Sequence, residues 1–274
     1  MRNWSDLRKR ALTAAVLGPI AMLCIWLGAN WWSAMMSVCM AGLAWEWVRL
    51  CQGSTRRIPG AIVPLAVLLA TFAAVLDWPM LGLVILLIGS LAARSVAKLM
   101  DPGISPFWLS AGVVYIGLAG ISLIELRHYD PVGRDNVIFL ILVVWASDIS
   151  AYVAGRSIGG PKLAVAISPN KTWAGSAGGL LGAIVIGVVT AAFFDRTAGL
   201  VQIVIAAALL GVATQAGDLF ESWIKRKFGV KDSSSLLPGH GGLLDRLDGV
   251  LAAAPLAAFF GMLAGPQVHL WRWV

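Results

Sequence analysis

The chain has 274 residues, of which 59% are hydrophobic and only 13% charged, a balance that excludes a water-soluble domain of this length. A formal net charge of +7 then reads as attraction to anionic headgroups at a membrane surface, and nucleic acid is a poor reading of it. Cys24, Cys39 and Cys51 have neither paired nor metal-type spacing, which argues against a disulfide framework.

A bilayer-crossing helix needs roughly 20 mostly apolar residues. Nine stretches approach that length: 11–30, 31–50, 59–77, 79–98, 105–126, 136–155, 174–194, 199–218 and 248–265. The expected fold is therefore all-α and polytopic, because an outer-membrane barrel would alternate over about ten residues per strand. The basic start MRNWSDLRKR runs into an apolar stretch without a convincing cleavage site, so it reads as a retained first helix. A shallower course is the alternative for the first pair. Every Lys and Arg except Arg127, Arg134, Arg196 and Arg272 then falls on one side. The Lys/Arg excess marks that side as cytoplasmic, with the N-terminus and the loops near 51–58, 99–104, 156–173 and 219–247, in a bacterial-type inner membrane. Trp31, Trp32, Trp78, Trp173, Trp271 and Trp273 sit at span ends and read as interfacial anchors.

Residues 1–130 contain little besides spans and read as a scaffold. Their one acid within a span, Glu46, reads as an interfacial side chain paired with Arg49 at i,i+3. Chemistry is expected in residues 131–274, where acids gather at span ends. An ionisable group at membrane depth is a functional candidate, which points to Asp148; Tyr152 and Arg156 share its helix face at four-residue spacing. The alternative is an Asp neutralised by Arg156 or another cation to hold helices together. Gly155, Gly159, Gly160 and Pro161 are expected to break that helix. Ser168, Lys171 and Thr172 precede the next span, where amides, hydroxyls and an ammonium can receive phosphate oxygens; ordinary N-capping is the competing reading.

The richest segment runs from Asp218 to Gly249. Asp218 ends one span while Asp245 and Asp248 open the next at i,i+3. Carboxylates without cysteine suit a hard cation such as Mg2+. Lys225, Arg226, Lys227, Lys231 and Arg246 lie among them, and nucleotide chemistry needs that mixture, since it proceeds largely by positioning and charge neutralisation. Gly239, Gly241 and Gly242 flank His240 and permit close backbone approach, with a plain turn as the alternative. His240 itself has no fixed role from sequence.

Ser222, Ile224, Lys225, Arg226, Lys231, Asp232, Ser234, Leu237, Pro238, His240, Gly241, Gly242, Leu243, Asp245, Arg246, Leu247 and Asp248 closely resemble the long motif of the phosphatidate cytidylyltransferases, or CDP-diacylglycerol synthases. Asp148, Ala151, Tyr152, Gly155, Arg156, Lys162, Leu163, Ser168, Pro169, Lys171, Thr172 and Gly175 extend the likeness over about 140–250. Ile149 and Ala174 depart from it, at positions where the family often has a small hydroxyl residue and an acidic or amide residue. The resemblance implies an all-helical homodimer with a polar cavity open to the cytoplasm and to lipid. Its reaction joins phosphatidate and CTP into CDP-diacylglycerol and pyrophosphate. It implies Mg2+, with or without a second cation, on Asp218, Asp245 and Asp248. Lys225, Lys231 and Arg246 would stabilise phosphate charge. Asp148, Tyr152, Arg156, Ser168, Lys171, Thr172, Arg226, His240, Gly241 and Gly242 would bind substrate. The rival readings are a CTP-dependent polyprenol kinase, a transporter and a CDP-alcohol phosphotransferase. The transporter is opposed by the one-sided acids, and the phosphotransferase by the missing DGxxAR series.

Overall fold

The computed structural model describes residues 4–101, 103–237 and 241–273, with side chains from residue 15 onward. His240 lies outside the described residues. The chain divides into two compact units, Met1–Glu125 with Lys227–Leu247, and Leu126–Arg226 with Asp248–Val274.

The first unit holds α1 (Trp4–Leu27), α2 (Ala29–Leu50), α3 (Ile58–Val75), α4 (Pro79–Met100) and α5 (Pro106–Arg127, whose last two residues fall in the second unit). The second holds α6 (Val132–Ser157), the hairpin β1 (Lys162–Ala164) and β2 (Ser168–Thr172), α7 (Trp173–Phe194), α8 (Leu200–Lys227), most of α9 (Leu244–Ala264) and a short 3-10 turn at Leu270–Arg272. Among the described residues seven helices, α3 to α9, are long and apolar enough to cross a bilayer, and the protein is a polytopic membrane protein. Helix α2 is not one of the seven, and the part of α1 with described side chains is the apolar stretch Ala15–Leu27.

Between helices in lipid there is no hydrophobic drive, so close packing of small residues takes over. On α7 a buried repeat, Gly175, Gly179, Ala183 and Gly187, gives a smooth face. A Cβ on Gly178 would stand 2.3 Å from the Cβ of Ala154, and one on Gly182 2.1 Å from Ser150 Oγ, so α6 and α7 approach to backbone distance. In the first unit a Cβ on Gly89 would stand 2.4 Å from the Cβ of Ala66, which draws α3 and α4 together, and one on Gly112 would strike the ring of Trp47 at 2.2 Å. Leu65, Phe72, Leu87 and Leu91 remain exposed and suit lipid contact.

The tryptophans divide. Trp31, Trp78 and Trp173 are each more than 60% exposed, as anchors should be. Trp32 and Trp271 correct the expectation, because both are buried. Trp32 donates Nε1–H to the Leu123 carbonyl at 3.1 Å; Trp271 packs between Phe139 and His269. Neighbouring positions on a helix point about 100° apart, so Trp31 and Trp32 cannot share one environment.

Two span boundaries also shift. The helix expected to end near 218 continues to Lys227, and the one expected at 248 starts at Leu244. Polar residues therefore extend both helices past the apolar window.

At one end of the second unit the tail after α9 is pinned. Leu270 N–H donates to Asn136 Oδ1 at 2.9 Å, Gln202 Nε2 donates to the Trp273 carbonyl at 2.7 Å, and Arg272 grips Asp195 through Nε and Nη2. That guanidinium, with the Thr197 hydroxyl and amide, holds the Asp195 carboxyl well below the usual carboxylate range. A lowered folded value stabilises the fold above the unfolded pKa of about 3.9 and loses that effect as pH falls toward the folded one. Arg272→Met should thus lower the thermal midpoint in detergent by roughly 2–4 °C at neutral pH. The gap to the parent should narrow only below about pH 4; an equal midpoint at pH 7 would remove the clamp from the fold's stability.

Candidate functional site

The second unit encloses a cavity of about 560 Å³ at the other ends of its helices. It is walled by Asp148, Tyr152 and Arg156 from α6, Asn170, Lys171 and Thr172 from β2, Ser176 from α7, and Gln215 and Asp218 from α8. Each position follows from local structure. Helix α6 runs through Gly155, which corrects the expectation of a break there. Gly155 instead lets the chain approach Thr172, since a Cβ would stand 3.1 Å from its Oγ1. The turn falls at Gly159 and Gly160, with φ of 68° and 92°, a region L side chains rarely adopt. The segment read only as a loop before α7 is an antiparallel hairpin, pairing Lys162 with Thr172 and Ala164 with Ser168. Thr172 is the N-cap of α7 and accepts the Gly175 amide at 3.0 Å. The N-capping reading thus accounts for its hydroxyl, which lies in the cavity wall as well.

Asp148 opens into the cavity, and Arg156 Nη1 donates to the Tyr152 hydroxyl at 3.1 Å. Lys171 is a cation within electrostatic reach of Asp148. Lys171 Nζ stands 2.5 Å from Asp218 Oδ2. Asp148, Asp218 and Asp248 lie within electrostatic reach of one another, so carboxylates of α6, α8 and α9 gather their charge around one end of the unit. Asp248 accepts the Gly249 amide at 2.8 Å and shares a hydrogen bond with Glu221. Glu221, itself buried, receives Lys225 Nζ at 3.0 Å. Lys225, expected on phosphate, is engaged by this acid.

Two polar residues of α8, one in this wall and one a turn beyond it, escaped the sequence reading. Gln215 is locked to Ser176, whose hydroxyl donates to its Oε1 while Nε2 donates to the Ser176 carbonyl at 3.0 Å. Glu221 is the other. Both stand three residues from Asp218 along α8, and that i,i+3 row of polar side chains on an apolar helix was the available signal.

The first unit carries the loop before α9. Asp245 Oδ2 accepts the Ser233 amide and hydroxyl at 3.0 Å each and the Gly242 amide at 2.8 Å. Leu237 N–H bonds to the Gly241 carbonyl, closing the turn, and Gly241 has a φ of 86°. Glu46 joins this loop. It is fully buried and not paired with Arg49, whose guanidinium lies over the Trp45 ring at 4.7 Å; the interfacial ion pair is thereby corrected.

The remaining sequence candidates spread out. Ser168 sits at the start of β2 outside the cavity wall, and Arg226, Lys231 and Arg246 are exposed. Among the described residues no group of three or more His, Cys, Asp or Glu side chains stands close enough to cage an ion. Mg2+ does not demand a cage: it keeps waters and is usually held by one or two carboxylates plus substrate phosphates. Oxygen-only donors around Asp218, already holding an ammonium, fit such an ion.

The sequence profile of the cytidylyltransferase family matches residues 8–264. The phosphatidate cytidylyltransferase of Brucella abortus (strain 2308) is 38% identical over 276 residues, covering 96% of this chain and 97% of the relative. That of Pseudomonas aeruginosa PAO1 is 34% identical over 269 residues, covering 94% and 98%. That of Bacillus subtilis (strain 168) is 40% identical over 156 residues, or 56% of each chain. With the profile spanning nearly all the helices and full-length relatives above 30% identity, the chain belongs to the cytidylyltransferase family, among the phosphatidate cytidylyltransferases.

Proposed function

We propose that this chain makes CDP-diacylglycerol and pyrophosphate from phosphatidate and CTP, and that the cavity beside Asp218 receives the reacting phosphates. The observation that carries this reading is that Asp148, Asp218 and Lys171 share the wall of one cavity among membrane-spanning helices, with Asp248 within electrostatic reach of both carboxylates. A lipid phosphate oxygen attacks the α-phosphorus of CTP; the new P–O bond forms as the bond to the pyrophosphate oxygen breaks, and pyrophosphate leaves. The nucleophile is already ionised at neutral pH, so no strong general base is required of the protein.

Asp218 and Asp248 would hold Mg2+, with Asp245 as the third carboxylate one turn earlier on α9. When bound, the ion, alone or with a second cation, neutralises phosphate charge and orients the triphosphate. Lys171 then exchanges its contact with Asp218 for phosphate oxygens. Arg156, fixed against Tyr152, adds a second cation to the same wall. Thr172 and the hairpin backbone shape the entrance, with Ser168 at its edge. Lys225, Arg226, Lys231 and Arg246 would stabilise phosphate charge, and His240, Gly241 and Gly242 would bind substrate. Residues 131–274 carry the chemistry on the scaffold of 1–130. The Lys/Arg excess supports a cytoplasmic N-terminus and active site in an inner membrane, and the working form would be a homodimer.

The test is incubation of purified protein in detergent with phosphatidate, Mg2+ and CTP labelled at the α-phosphorus. Label should enter the lipid fraction. Transfer from the γ-position alone would make the protein a lipid kinase and end this reading.

A further inference from the structure

The geometry points to Glu46 as a positioning residue: a carboxylate of α2 that caps the N-terminus of α9 from 198 residues away in sequence. An uncompensated carboxylate in a fully buried position is costly, and among the described residues no cation pairs with Glu46. Its compensation comes from donors. Oε1 accepts the Leu243 amide at 2.8 Å and the Ser234 hydroxyl at 2.5 Å; Oε2 accepts the Leu244 amide at 2.6 Å, with Ser233 Oγ at 3.3 Å.

The amides at the start of a helix have no intrahelical acceptor, and the helix dipole favours negative charge there. Helix α9 starts at Leu244, and the preceding Leu243 has no side-chain oxygen with which to cap it. Asp245, in the first turn, spends Oδ2 on Ser233 and Gly242 instead. Glu46 supplies the missing acceptor. Gly242 completes the fit, because a Cβ there would stand 1.8 Å from Ser233 Oγ and 2.9 Å from Glu46 Oε1. The carboxylate thereby sets where α9 begins, and α9 carries Asp245 and, one turn on, Asp248. That these aspartates serve the metal is the only part resting on the proposed reaction.

Glu46→Gln keeps the volume but turns one of the two acceptor atoms into a donor that faces other donors. Hydrogen–deuterium exchange of residues 242–247, followed in detergent without substrate, should quicken at least tenfold in this variant. Unchanged exchange there overturns the cap. In the activity assay, kcat should fall at least tenfold and the Mg2+ concentration for half-maximal rate should rise at least tenfold, while Glu46→Asp restores part of both. Faster exchange with an unmoved Mg2+ dependence overturns the positioning role and leaves a purely structural cap. Wild-type protein that fails to transfer CMP defeats the reaction reading, and the exchange result still decides the cap. Should Glu46→Gln not survive extraction, Ser234→Ala carries the same comparison. It removes one of the donors, with a smaller change expected in the same direction and no change overturning the cap.

Discussion

Asp248→Asn should lower kcat for CMP transfer by on the order of 10³-fold, with insertion and monodispersity in detergent unchanged. The side chain keeps its volume, and an amide oxygen can still accept the Gly249 N–H that Asp248 now accepts at 2.8 Å, so the first turns of α9 have no reason to unravel. The charge opposite Asp218 is lost, and with it the ability to hold a divalent ion against two negatively charged substrates. Asp218→Asn should do as much damage and, in addition, release Lys171 from its 2.5 Å contact. Raised Mg2+ should recover part of either loss. Single-turnover rates with α-labelled CTP measure the effect, and near-parental rates in Asp248→Asn would remove that residue from the catalytic set.

Lys171→Met should lower kcat/KM for CTP by about 10²-fold, the usual scale for one charged donor aimed at developing charge. Met preserves the alkyl stem and the packing beside Asn170 and Thr172, so the variant isolates the ammonium. Lys171→Arg should restore little, because a planar fork does not reproduce a compact point charge on one carboxylate oxygen. Coupling supplies the sharper check. Since Lys171 and Asp218 touch, the double variant Asp218→Asn/Lys171→Met should lose less than the sum of the two single losses. Strict additivity would mean that the pair does not act as a unit in turnover.

The polar row on α8 shows how far sequence reasoning reaches. Asp218 stands out because it closes an apolar run, and Asp148 because it interrupts one. Gln215 and Glu221 flank Asp218 at three-residue spacing and were equally visible, yet their importance depends on Ser176 and Asp248, partners supplied by other helices. Lys225 illustrates the converse. Its charge and motif position suggested phosphate, and the structure shows its partner within the chain to be a buried acid one turn back.

Length, apolar runs and the residues of the long motif were enough to settle a helical membrane protein and its family, because lipid requires every backbone polar group to be satisfied within the chain and helices do so locally. Tertiary structure alone decided that Glu46 closes the start of α9, that Trp32 and Trp271 belong to the core, and that Lys171 meets Asp218. A carboxylate and the amides that compensate it can lie 198 residues apart. Hydropathy and spacing describe neighbours along one helix, whereas the cost of burying charge is met by whichever donors the packing brings alongside.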